Sequence, residues 1–138
     1  LVTWFLGSQN GHAIADVHLP VDADCGVRER ERTRRFVVYH FDDELAPILL
    51  GRATLDPELA ELEAVHLQTM SEAAADNIRR GQHDGDLPDD IDADSAGAFV
   101  IGGLRHSIAQ QLRATPRADP DLAAERLWHL TAAALGIA

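Results

Sequence analysis

Residues 78–108 read IRRGQHDGDLPDDIDADSAGAFVIGGLRHSI, and the order of residue types in this stretch decides the fold. Ile78-Arg79-Arg80 places cations where a helix C-terminus carries partial negative charge, and Gly81 and Gly85 can adopt the left-handed conformation that ends helices. Leu87-Pro88 forces an extended passage. Asp92 or Asp94 can then cap a second helix, whose apolar face runs Phe99, Ile101, Leu104, Ile108 and Leu112. The stretch is the end of one helix, a polar turn and the start of another.

Upstream, Asp56-Pro57-Glu58 is a helix start: a capping acid, proline in the first turn and a negative charge at the positive end. The spacing predicts a helix over 57–80 with an inward stripe of Leu59, Leu62, His66, Thr69 or Met70, and Ala73. Downstream, one helix is expected over 93–114, and Asp119 or Asp121 caps a last one over 122–135.

Further upstream, VRERERTRRFVVYHF from Val27 is charged for two turns and then apolar. Its arginines can pair with Glu29 and Glu31 at helical spacing, which makes a solvated face the better reading than a phosphate site. Pro47 opens a short helix to about Gly51 that would bury Leu45, Ile48 and Leu49, and another short helix is possible over 12–19. No stretch alternates with period two. The expectation is an all-α bundle of about five to six helices, with residues 1–26 a poorly defined segment and 27–138 one domain.

The 138 residues carry a net charge of −11, and all 12 cations are arginine, which argues against a nucleic-acid surface spread over the chain. A lone cysteine, Cys25, excludes an internal disulfide, fits a reducing cytoplasmic setting, and sits in an acidic loop that disfavours its thiolate. No apolar run reaches membrane-spanning length. The chain begins at Leu1, and a piece of a longer protein is expected.

Catalytic and metal signatures are missing. The seven histidines show neither HExxH nor zinc-site spacing, no GxSxG surrounds a serine, and Ser107 beside His106 points elsewhere on its helix. The acidic run HDGDLPDDIDAD over 83–94 lacks the glycine and the terminal bidentate acid of a calcium loop. No cofactor, no metal and no enzymatic activity are expected. Three histidines, His40, His66 and His106, lie among apolar neighbours and could line one cavity with Phe36, Tyr39, Met70 and Phe99, suited to a small apolar ligand. The plainer alternative is three satisfied core histidines. Gly102-Gly103 in mid-helix costs about 1 kcal/mol per glycine relative to alanine and suggests a close helix approach. The apolar residues of the last two helices could pair two chains through a four-helix interface, or simply fill a core.

The segment LDPELAELEAVHLQTMSEAAADNIRRGQHDGDL, its Asp-rich cap and GGLRHSIAQQL resemble the C-terminal regulatory domain of TetR/AcrR-type bacterial transcriptional repressors. Over residues 19–138 the resemblance is a diffuse pattern, concentrated in 78–87 and 102–112. It implies an effector-binding, homodimeric, non-catalytic regulator whose DNA contacts belong to an N-terminal helix-turn-helix that this chain lacks. The expected effector site is Phe36, Tyr39, His40, His66, Met70, Phe99 and His106. The expected dimer face is Gly102, Arg105, Ala109, Leu112, Trp128 and Leu135. A ligand-free dimerising module is the first rival; a metal-dependent helical enzyme, with His40, His66 and His106 converging, is the second.

Overall fold

A computed structural model describes residues 25–42 and 56–137. These residues are 82% helical and contain no strand. They form four helices: α1 (Cys25–Asp42), α2 (Pro57–His83), α3 (Ala93–Arg113) and α4 (Pro120–Leu135). The short helices expected over 12–19 and 47–51 lie outside the described residues.

Local chemistry accounts for the boundaries. Asp56 accepts hydrogen bonds from the Glu58 and Leu59 amides at 3.0 and 3.3 Å, with Pro57 in the first turn, so α2 starts where the sequence places it. Asp92, rather than Asp94, caps α3 through the Ser95 amide at 2.8 Å. Asp119, rather than Asp121, caps α4 through the Asp121 and Leu122 amides.

The turn after α2 is more elaborate than its glycines suggest. Gly85 is left-handed at φ +81°, whereas Gly81 remains helical and buried. The Gly81 carbonyl accepts from the Asp86 and Leu87 amides at 2.8 and 3.2 Å, which folds the chain back and buries Leu87 against Ile78, Ala93 and Leu135. The Gln82 side chain then donates to the carbonyls of Pro88 and Ile91, at 2.9 and 2.8 Å, and holds the loop over the helix end.

The helices are tied in two antiparallel pairs. Arg79 reaches Asp94 at one end of α2–α3, and Arg105 reaches Glu63 at the other. Between these ion pairs the two backbones nearly touch. A Cβ on Gly97 would stand 2.5 Å from the Ser71 carbonyl oxygen and 2.8 Å from the Ala75 nitrogen. In α1–α4, Arg30 forks onto the Glu125 carboxylate at 3.1 and 2.7 Å, and Arg34 meets Asp121 at 3.0 Å. The core where the pairs meet contains Phe36 and Val37 of α1, Met70 of α2, Ile101, Leu104 and Ile108 of α3, and Leu127 of α4.

Three expectations are corrected. The inward stripe of α2 runs His66, Met70, Ala74, Ala75 and Ile78, while Leu62 is 68% exposed. Phe99 leaves the core face of α3, which comprises Ala93, Gly97, Ile101, Leu104, Ile108 and Leu112. The close helix approach occurs at Gly97; Cβ atoms on Gly102 or Gly103 would meet no atom of the described residues within 4 Å. The expected count of helices and the four-helix dimer contact exceed what these residues display.

Candidate functional site

Among the described residues, an interior cleft lies at the seam between the two pairs. α1 contributes Glu29, Arg32, Thr33 and Phe36; α2 contributes Ala74, Asn77 and Ile78; α3 contributes Val100, Ile101 and Leu104; α4 contributes Thr131 and Leu135. The cleft has about 30 Å³ for water-sized molecules, room for a water or two. Its walls are largely apolar, and its polar groups are Glu29, Arg32 and Thr33 of α1, Asn77 of α2 and Thr131 of α4. Thr33 and Thr131 are buried, and the Thr131 hydroxyl donates to the Leu127 carbonyl at 3.0 Å. Arg32 donates to Glu29 one turn away. Burial pushes the Glu29 carboxyl above its ordinary range, and the attraction of Arg32, Arg28 and Arg80 only partly opposes that.

Of the seven residues expected around an effector, Phe36 alone lines this cleft. Met70 is buried beside it in the core. His40 is buried at the far end of α1 and donates its Nδ1 proton to the Phe36 carbonyl at 2.8 Å, since a carbonyl can only accept. Its ring packs on Phe36 at 4.4 Å and edge-on to the half-buried Tyr39 at 5.5 Å.

His66 is 8% exposed on α2, beside the Arg105–Glu63 pair. Its Nδ1 is fully buried and has no hydrogen-bond partner among the described residues. Desolvation and the Arg105 charge hold its pKa below the ordinary 6.5, partly offset by Glu63, so the ring is neutral at pH 7. Phe99 and His106 stand on the opposite, outer face of α3, where Phe99 is 71% exposed and His106 accepts a hydrogen bond from the Gln110 amide at 3.1 Å. No cluster of three potential metal ligands occurs among the described residues, so His40, His66 and His106 form no such centre.

The residues expected at a dimer face divide as well. Leu112, Trp128 and Leu135 are buried within the chain. Arg105 is committed to Glu63, and Ala109 is half-buried. Gly102 is partly open to solvent, with free space over its Cα.

Sequence reasoning missed Glu29, Arg32, Thr33, Asn77 and Thr131 at the cleft. Glu29 and Arg32 sit in a run of alternating charge that resembles a wholly solvated face. The available signal was their phase: Glu29, Arg32, Thr33 and Phe36 share one side of a helix. Among the described residues no helix is long and apolar enough to cross a membrane. No family model, curated protein or solved structure matches the chain.

Proposed function

We propose that this chain is a non-catalytic regulatory domain, similar to the effector-binding half of a TetR/AcrR-type repressor, which works in the cytoplasm as a homodimer. A small apolar effector enters the seam between α1–α4 and α2–α3. DNA is reached only through a separate helix-turn-helix. The observation that carries this reading is the cleft, because all four helices contribute to it and it lies between two separately braced pairs.

A ligand acts on such a bundle through differential affinity for two arrangements. The closed arrangement has room for water only, so an organic effector selects an arrangement in which the pairs stand further apart. Each pair keeps its own ion pairs during that separation. Phe36, Ile78, Ile101 and Leu104 supply apolar contact, and Thr33, Asn77 and the Glu29–Arg32 pair supply direction.

The cleft's size also favours a second reading, a dimerising module without an effector. A thermal-shift screen against apolar aromatic and aliphatic compounds separates the two. A ligand present at a hundred times its Kd stabilises the folded state by about 2.7 kcal/mol, a readily measured rise in Tm. A screen that yields no stabiliser overturns the effector reading and leaves the module.

A further inference from the structure

We infer that the cleft takes an apolar acid, whose carboxylate replaces that of Glu29 on the Arg32 guanidinium while Glu29 takes up a proton and becomes neutral. The inference rests on the reading of the cleft as an effector site, and it names the class of that effector. As for any organic effector, entry requires the two helix pairs to stand further apart.

The lining has an apolar body and one charged edge. Phe36, Ile78, Val100, Ile101, Leu104 and Leu135 supply the body. The edge belongs to α1, where Glu29 and Arg32 line the same space and Arg32 donates to the Glu29 carboxylate. The two side chains are 21% and 19% exposed. A guanidinium presents a planar fork of donors that carboxylates match in shape and charge. One that already holds a carboxylate beside an apolar space can hold another in its place.

Charge selects the head group. Burial raises the pKa of Glu29 although three guanidinium groups act on it, Arg32 and Arg28 of its own helix and Arg80 of α2. α3 and α4 line the cleft with uncharged side chains only. An ammonium head would meet these three cations and a single carboxylate. An uncharged head leaves the pair as it is and gains no charge attraction from it. A carboxylate head gains the arginines, provided that Glu29 gives up its charge, and the raised pKa lowers the cost of that step.

The exchange balances. One anion enters, one proton passes from solvent to a Glu29 oxygen, and the Arg32 hydrogen bond moves from one carboxylate to the other. Thr33 and Asn77 line the same space and carry oxygens able to accept from the protonated carboxyl. Glu29 and Phe36 stand about 10 Å apart along α1, so a tail of middle length spans from the charged edge to the aromatic ring.

The test is calorimetric titration of the full chain with octanoate, 1-octanol and octylamine, which share a tail and differ in the head. At pH 6 octanoate should bind at least about tenfold more tightly than either of the others. At pH 8, titrations in phosphate and in Tris, whose ionisation heats differ, should show proton uptake approaching one per octanoate. Octanoate affinity should fall by up to about tenfold per pH unit above the folded pKa of Glu29. Glu29→Gln should bind octanoate without proton uptake, and Arg32→Gln should lose the preference for the acid. Where these variants do not fold, the carbon-13 shift of carboxyl-labelled octanoate on the wild type reads its charge directly and should be that of the ionised form. Equal affinity for octanoate and 1-octanol, no proton uptake, a neutral octanoate carboxyl in the complex, or no octanoate binding each overturns the inference. An uncharged or cationic compound that binds where octanoate does not leaves the effector reading standing and removes the acid alone.

Discussion

At the scale of single residues, the chain spends its glycines in opposite ways. Gly97 lets α3 lie directly on the backbone of α2, within van der Waals range of the Ser71 carbonyl and the Ala75 amide. Gly97→Ala requires the helices to part, and should cost about 1–3 kcal/mol in chemical denaturation. An unchanged midpoint would show that the α2–α3 contact is looser than its geometry. His66 is the other residue with a local cost. A fully buried ring nitrogen without a partner is about 1–3 kcal/mol worse than a satisfied one. Because its folded pKa lies below the unfolded 6.5, its contribution is fully present above pH 6.5 and is lost as pH falls through that value toward the folded one. Burial drives the shift, Arg105 assists it, and Glu63 opposes it. In His66→Gln that loss should vanish, so the Tm of the wild type should fall relative to that of the variant on going from pH 7.5 to 5.5. A difference that stays constant would place the acid sensitivity elsewhere.

At the scale of elements, the turn 81–92 does what the sequence pattern only hints at. Gly85 supplies the left-handed residue, Gly81 offers its carbonyl twice, and Leu87 plugs the gap beside Ala93 and Leu135. Gln82 is the least conspicuous member and holds two carbonyls of the following loop. Gln82→Ala should destabilise the chain by about 1–3 kcal/mol and speed amide exchange across 84–92, with the middle of α2 unaffected, as measured by hydrogen exchange. Uniformly faster exchange would mean that the loop opens only with the whole fold. The starts of α2, α3 and α4 were legible in the sequence because caps are local, an acid and the amides two or three residues on deciding them, whereas α2 runs to His83, past the end expected at 80. Which side of a helix faces inward was less legible. Leu62 and Phe99 are as apolar as their buried neighbours, and only the crossing partners settle that Met70 and Ile101 point inward in their place. Gly97 was invisible for the same reason, since nothing near it in sequence reports that Ser71 and Ala75 press on it.

At the scale of the molecule, two braced pairs meet along a seam that carries a half-buried carboxylate. Between described residues, the ion pairs that join different helices all fall within a pair, Arg30–Glu125 and Arg34–Asp121 in one, Arg79–Asp94 and Arg105–Glu63 in the other. Among the described residues, apolar contact around the cleft joins the two pairs, and an ionised Glu29 sits at that contact at a desolvation cost. Its pKa is raised in the folded state because burial outweighs Arg32, Arg28 and Arg80. A raised pKa means that the folded chain holds this proton more tightly than the unfolded one. The resulting stabilisation is complete below the ordinary 4.5 and is lost as pH rises through the folded value. Glu29→Gln keeps the shape and an acceptor for Arg32 but does not titrate. The wild type should lose stability relative to Glu29→Gln as pH rises from 4 toward 7, as read from denaturant midpoints, an effect opposite in sign to that of His66. A wild type that gains on the variant over that range would mean that Arg32 more than compensates the buried charge. The seam would then be held by an ion pair within α1, and an effector would have to disrupt that pair to enter.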